Sequence, residues 1–228
     1  MGASGPSWQG PSWQGQRDRP TRLVLVRHGQ TALSVQRRYS GRGDPELTEV
    51  GLRQAQGAAR RVAGEDVAAI ISSPLRRTQQ TAHAVGELTG TDVITDAGFI
   101  ETDFGTWEGL TFGAAARQDP EIHARWLRDP SVPAPGGESF DEVAARVIGA
   151  TEKVLATYPG QTVAVVSHVT PIKSLLRYAL DVGPQLLFRL HLDLASVSVA
   201  EFYPDGGAVV RSVNETAHWH QEGPAGER

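Results

Sequence analysis

Two stretches of the chain share one design, an unbroken apolar, β-branched-rich run that ends in a histidine. Leu23-Val24-Leu25-Val26 leads into Arg27-His28-Gly29-Gln30-Thr31, and Val163-Ala164-Val165-Val166 leads into Ser167-His168. Runs with no polar face read as strands buried on both sides, as in parallel sheets covered by helices. Val67-Ala68-Ala69-Ile70-Ile71 is a third such run, and Val93-Ile94-Thr95 a shorter fourth. Between them the period becomes helical. Thr48 is placed to cap a helix reaching about Ala63, with Leu52, Ala55, Ala59 and Val62 at helical spacing. Further helices are predicted from Leu75 to Leu88, from Ser139 to just before Pro159-Gly160, and from Thr170-Pro171 through Leu180. Residues 196–202 and 208–213 flank Pro204-Asp205-Gly206-Gly207 and read as an antiparallel hairpin. Strands alternating with helices predict an α/β fold, a mostly parallel sheet with helices on both faces.

The segments outside this pattern are polar or punctuated by turn residues. Ala32 to Glu46 reads as an exposed loop, and Phe99 to Gly109 as a shaped, glycine- and aromatic-bearing one. Leu110 to Pro135 reads as short helices separated by prolines, an insertion beside the sheet with Ile122, Trp126 and Leu127 as its apolar contacts. Gly5-Pro6-Ser7-Trp8-Gln9 is repeated at once as Gly10-Pro11-Ser12-Trp13-Gln14, so residues 1–20 read as linker or tag. One domain is expected over residues 21–214, with a polar tail at 215–228.

Composition narrows the classes. A chain of 228 residues with 39% hydrophobic and 21% charged positions is neither disordered nor membrane-embedded. No apolar run nears the ~20 residues of a membrane span, and the N-terminus lacks the apolar centre of a signal peptide. A net charge of −4 offers no electrostatic reason to expect nucleic-acid binding. With no cysteine present, disulfides and thiolate chemistry are excluded, which fits an expected cytoplasmic location.

Chemistry concentrates at three strand-to-helix junctions: Arg27-His28-Gly29, Ser73 to Arg77, and Ser167-His168. Ligands of open α/β sheets bind beyond the carboxyl ends of the strands, so these junctions converge. A lone histidine is weak evidence; two histidines and two arginines at matched junctions point to a phosphate.

These residues also carry a family resemblance. Arg27-His28-Gly29-Gln30-Thr31 resembles the RHG-E/Q-T motif of the histidine phosphatase superfamily. Ser73-Pro74-Leu75-Arg76-Arg77-Thr78-Gln79-Gln80-Thr81-Ala82 is similar to that family's S-x-L-x-R-[AT]-x-Q-T-A helix start, with Arg77 in the phosphate-binding place. Glu101 to Gly109 matches its E-x-x-F-G-x-W-E-G stretch with Glu101 as proton donor, Pro135 to Ser139 its P-G-G-E-S turn, and Ser167-His168 its second histidine. Ser34 stands where many relatives carry asparagine, and His168-Val169 where histidine-glycine is common. The resemblance is to the phosphatase branch, nearest to acid phosphatases and α-ribazole-5′-phosphate phosphatases, including the phosphatase half of bifunctional proteins with a ribonuclease H domain upstream.

What the resemblance implies is a three-layer α/β/α fold and a metal-independent, cofactor-free phosphomonoester hydrolase working on a small-molecule substrate. His28 would form a phosphohistidine. Arg27 and Arg77 would offer planar donor forks to the phosphate, with His168 as a further donor. Glu101 would protonate the leaving alkoxide and later take a proton from water. Gln30, Thr31, Ser34, Ser40, Gly41 and Glu138 are candidate substrate contacts, whereas Asp103 and Glu108 read as loop-ordering acids. No metal, nucleic acid or membrane is expected at this domain. Two competing readings are a phosphoglycerate mutase, for which no insertion supplying extra basic residues is evident, and a non-catalytic phospho-ligand module, which loss of His28, Arg77, His168 or Glu101 would mark.

Overall fold

The structure is a computed structural model and describes residues 19–221; the Trp-bearing repeat and residues 222–228 lie outside the described residues. Among these residues six strands, β1 (Thr21–Arg27), β2 (Val67–Ser72), β3 (Val93–Thr95), β4 (Thr162–Ser167), β5 (Val197–Phe202) and β6 (Ala208–Glu215), form one sheet in the order β3-β2-β4-β1-β5-β6. The first four of that order run parallel; β5 and β6 form the predicted antiparallel hairpin at one side. β1 and β4 pair in register, Leu23 opposite Val163 and Arg27 opposite Ser167. His28 and His168 therefore leave the sheet side by side.

Among the described residues, eight α-helices surround the sheet: α1 (Ala32–Val35), α2 (Glu49–Ala63), α3 (Arg76–Thr89), α4 (Phe112–Gln118), α5 (Pro120–Trp126), α6 (Phe140–Thr157), α7 (Val169–Leu180) and α8 (Leu186–Arg189). Alternation along the strands divides the core into two. Leu23, Leu25, Val163 and Val165 face α6 and α7 through Val143, Val147 and Leu175. Val24, Val26, Ala164 and Val166 face α2 and α3 through Ala55, Ala59, Ala82 and Val85. This is the three-layer α/β/α arrangement. Burying a valine or leucine fully is worth about 1.5–3 kcal/mol, so strands with two apolar faces are held at the centre. A third, largely aromatic cluster gathers Tyr39, Phe104, Trp107, Trp126, Phe140 and Leu187 beyond the strand ends.

The helix caps follow from local chemistry. Thr48 Oγ1 accepts from Gly51 N, and Ser139 and Glu142 close a capping box at the start of α6. Several details depart from expectation. Leu52, expected on the buried face of α2, is 46% exposed because that helix presents small residues to the sheet. Ile122 and Leu127 of the insertion are exposed, and only Trp126 of the three is buried. The loop after β1 contains α1, closed by Thr31 as N-cap. The expected polar tail begins late: Glu215 ends β6, and the 3₁₀ turn Ala217–Gln221 packs on α2 with His218 buried.

Candidate active site

The junctions after β1, β2 and β4 meet at the edge of the sheet. His28 continues β1 by donating its backbone N–H to Ser167 O, and its carbonyl accepts from Ala195 N. At 6% exposure the imidazole sits 2.7 Å from Gly29 O through Nδ1. A carbonyl can only accept, so Nδ1 carries the proton and Nε2 keeps its lone pair. Burial, with Arg77 and Arg27 nearby, holds this histidine well below its ordinary pKa and therefore neutral.

Two glycines allow the local geometry. A Cβ at Gly29 would collide with the Gly51 carbonyl, and a Cβ at Gly51 with the Gln30 carbonyl. Their absence lets α2 press against the loop that carries His28, and Gly29 N donates to Thr81 Oγ1 of α3 at 3.3 Å.

His168 is fully buried, its ring centroid 5.2 Å from that of His28. Arg77 Nε donates to its Nδ1 at 3.3 Å, which leaves Nε2–H to donate to Ser73 Oγ at 2.8 Å. Burial, then Arg77, hold it well below the ordinary histidine range. The next residue, Val169, opens α7 in helical conformation with no positive φ required, so valine is tolerated where glycine is common.

Arg77 is fully buried, and its guanidinium donates to the carbonyls of Gly43, Ser40 and Gly41 at 2.8, 3.1 and 2.9 Å. Glu108 holds that loop from behind, accepting from Gly41 N and Gly43 N. Arg27 Nη1 donates to Leu192 O at 2.6 Å, while its Nε is buried without a partner among the described residues. Burial pushes Arg27 down to about 10, which leaves it charged at neutral pH. An orphaned buried cationic N–H is costly unless an anion meets it.

Glu101 is 6% exposed, and its Oε1 accepts from Thr102 N at 2.8 Å and Thr102 Oγ1 at 3.3 Å. It is close enough to favour the charged forms of both Arg27 and Arg77. Arg146 of α6 fixes the chain around it, donating to the carbonyls of Gly98, Ile100 and Glu101.

Arg27, His28 and Glu101 open onto a cavity of about 870 Å³, which Thr31, Ser34 and Ser40 also line. Thr31 and Ser34 spend their side chains on the capping box of α1. Ser40 Oγ is buried and has no partner among the described residues. The remaining candidates act from behind. Gln30 accepts from Thr48 Oγ1 at 2.8 Å and anchors α2; Gly41 serves through its backbone. Glu138, expected as a possible substrate contact, has both oxygens occupied: Arg146 bridges the pair at 2.9 and 3.1 Å, and Arg42 and Asp103 N meet Oε2. Those partners hold it below the ordinary carboxylate range against the opposing effect of burial, the largest single influence on it. Sequence reasoning missed Lys173, which lines the cavity from α7 and donates to Leu187 O at 2.7 Å. Its position five residues after His168 on a helix opening at the site was the available signal.

Fold and site define an α/β protein with an anion-attracting pocket over a neutral histidine at the strand ends. The sequence matches the histidine phosphatase superfamily (branch 1) over residues 23–215, and the chain belongs to that family. It is 57% identical over 203 residues to a bifunctional protein of Mycobacterium tuberculosis, covering 89% of this chain and 56% of that protein. The chain thus spans about half the length of that relative. To phosphoserine phosphatase 1 of Hydrogenobacter thermophilus it is 35% identical, covering 86% and 93% of the two chains. The solved mycobacterial glucosyl-3-phosphoglycerate phosphatase with bound VO3 superposes with a TM-score of 0.79 at 31% identity, covering 86% of this chain and all of that one.

Proposed function

We infer that the protein is a metal-independent phosphomonoester hydrolase of acid-phosphatase type in which His28 is the nucleophile and Glu101 the proton donor. The observation carrying this reading is the Nδ1 contact of His28 to Gly29 O, which leaves Nε2 unprotonated at a cavity that Arg27, its buried Nε without a partner among the described residues, also lines. The phosphate enters with its oxygens toward Arg27; Arg77 and His168 exchange their present bonds to the loop carbonyls and to Ser73 to reach it, and His28 Nε2 attacks phosphorus in line. The N–P bond forms as the ester P–O bond breaks, and Glu101 delivers its proton to the departing alkoxide. Water then attacks the phosphohistidine, yielding its proton to the Glu101 carboxylate, and inorganic phosphate leaves. The two arginines supply the positive charge that such a transition state needs. α-Ribazole-5′-phosphate is a candidate substrate on the sequence resemblance, and a ribonuclease H domain in a longer natural polypeptide belongs to the same proposal.

The test is rapid quench with ³²P-labelled phosphomonoester. Wild type is expected to hold acid-labile, base-stable label at His28, His28→Ala to hold none and lose turnover while keeping its circular dichroism, and EDTA to leave the rate unchanged. Vanadate is expected to inhibit. Label persisting in His28→Ala removes His28 as nucleophile, and a rate abolished by EDTA removes the metal-free mechanism.

A further inference from the structure

The cavity, at about 870 Å³, is larger than a phosphate requires, and its lining is of two kinds. Arg27, His28 and Glu101 are the catalytic candidates; Phe104, Trp126 and Phe140, buried members of the aromatic cluster, line it as well. Three further lining residues are large, apolar and open to water: Phe112 at 55% exposure, Leu127 at 42% and Phe188 at 47%. They come from separate segments, Phe112 and Leu127 from the insertion and Phe188 from α8. Apolar side chains gathered in a concave site with few polar groups mark ligand contact rather than ordinary surface.

Several polar side chains that line the cavity bond to the protein itself. Tyr39 Oη is 2.9 Å from His123 Nε2, Lys173 Nζ donates to Leu187 O, and Arg38 donates to Gly109 O at 2.7 Å. Burial pushes the Tyr39 hydroxyl up to about 12, so it stays uncharged. A carboxylate in the leaving group would meet aromatic faces there, while of the cations that line the cavity Arg38 and Lys173 are tied to backbone carbonyls and Arg37 stands on an exposed turn. An apolar or aromatic leaving group would cover Phe112, Leu127 and Phe188 and release the water against them.

We propose that this cavity selects phosphomonoesters whose alcohol carries a bulky apolar or aromatic group, read by Phe112, Leu127 and Phe188. The inference rests on the phosphatase reading of the same site and names the substrate class that site takes.

A series of n-alkyl phosphates from ethyl to octyl, used below micellar concentrations, tests it, because their alcohols differ little in acidity and chain length alone varies. In wild type kcat/KM is expected to rise about two- to fourfold per methylene. Phe112→Ser/Phe188→Ser is expected to flatten the series to less than about fivefold overall, the loss in kcat/KM growing along the series from ethyl to octyl phosphate. Phenyl and naphthyl phosphates are expected to follow the same loss. A flat series in a wild-type enzyme that turns over ethyl phosphate overturns this proposal alone, as does a higher kcat/KM for O-phosphoserine or 3-phosphoglycerate than for octyl phosphate. No hydrolysis of any ester and no phosphoenzyme overturns the phosphatase reading, and this one with it.

Discussion

At the residue scale, tautomer and donor placement decide what each group can do. His28 is neutral with its proton on Nδ1, and His168 is oriented from both sides by Arg77 and Ser73. Glu101 has Oε1 tied to Thr102, which fixes the carboxyl without supplying it a cation by direct contact. If this carboxyl protonates the leaving alkoxide, its removal matters most when the alkoxide is a poor leaving group. Glu101→Gln is therefore expected to lower kcat/KM for alkyl phosphates by about 10²–10⁴-fold and for p-nitrophenyl phosphate far less. Equal losses on both substrates in steady-state assays would remove Glu101 as the acid.

At the element scale, the loop between α1 and α2 is an instrument for placing Arg77. Glu108 accepts from two of its backbone amides, and the carbonyls of Ser40, Gly41 and Gly43 receive the guanidinium. The loop-ordering role expected of Glu108 is what the structure shows, and it extends one step further, to a cation of the site. Glu108→Ala would leave those amides short of an acceptor, a cost of about 1–3 kcal/mol for a buried donor. The expected result is a lower melting temperature together with about tenfold weaker inhibition by phosphate, corresponding to roughly 1.4 kcal/mol of lost anion binding. Lower stability with unchanged inhibition would show that the tie ends at the loop. Glu138 and Arg146 do comparable work behind Glu101, which is why a residue at the family's P-G-G-E-S turn fastens the site from outside the cavity.

At the scale of the whole molecule, four histidines, His28, His123, His168 and His218, are buried in the neutral form and held below their ordinary pKa chiefly by that burial. Above about pH 6.5 they are neutral in the folded and unfolded chain alike and contribute nothing to pH dependence. As pH falls below that value the unfolded chain binds protons that the folded one refuses, so stability drops until the folded-state values are reached. His28 and His168, shifted furthest, each remove up to about 1.4 kcal/mol per pH unit in that window. The urea midpoint is expected to fall between pH 7.5 and 5.5, and His28→Asn/His168→Asn to reduce the fall. Added phosphate should oppose it, because an anion favours protonated His168. An unchanged midpoint over that range would contradict neutral burial of the pair.

The apolar runs determined the sheet by themselves, because a strand with two hydrophobic faces has no stable place except between two helical layers. The same runs determined that histidines at 28 and 168 leave the sheet at one edge, and the spacing of Ser73 to Arg77 brought an arginine to meet them. Periodicity could not say which face of a small-residue helix is buried, hence Leu52, nor that the chain after β6 returns to cover α2. Only the tertiary structure decided the ends of the long side chains. Glu138 turns back to Arg146, Lys173 turns into the cavity, and Phe112 and Phe188 both come to line it from segments far apart in sequence. Such contacts depend on where separate elements come to rest against one another, which no local pattern encodes.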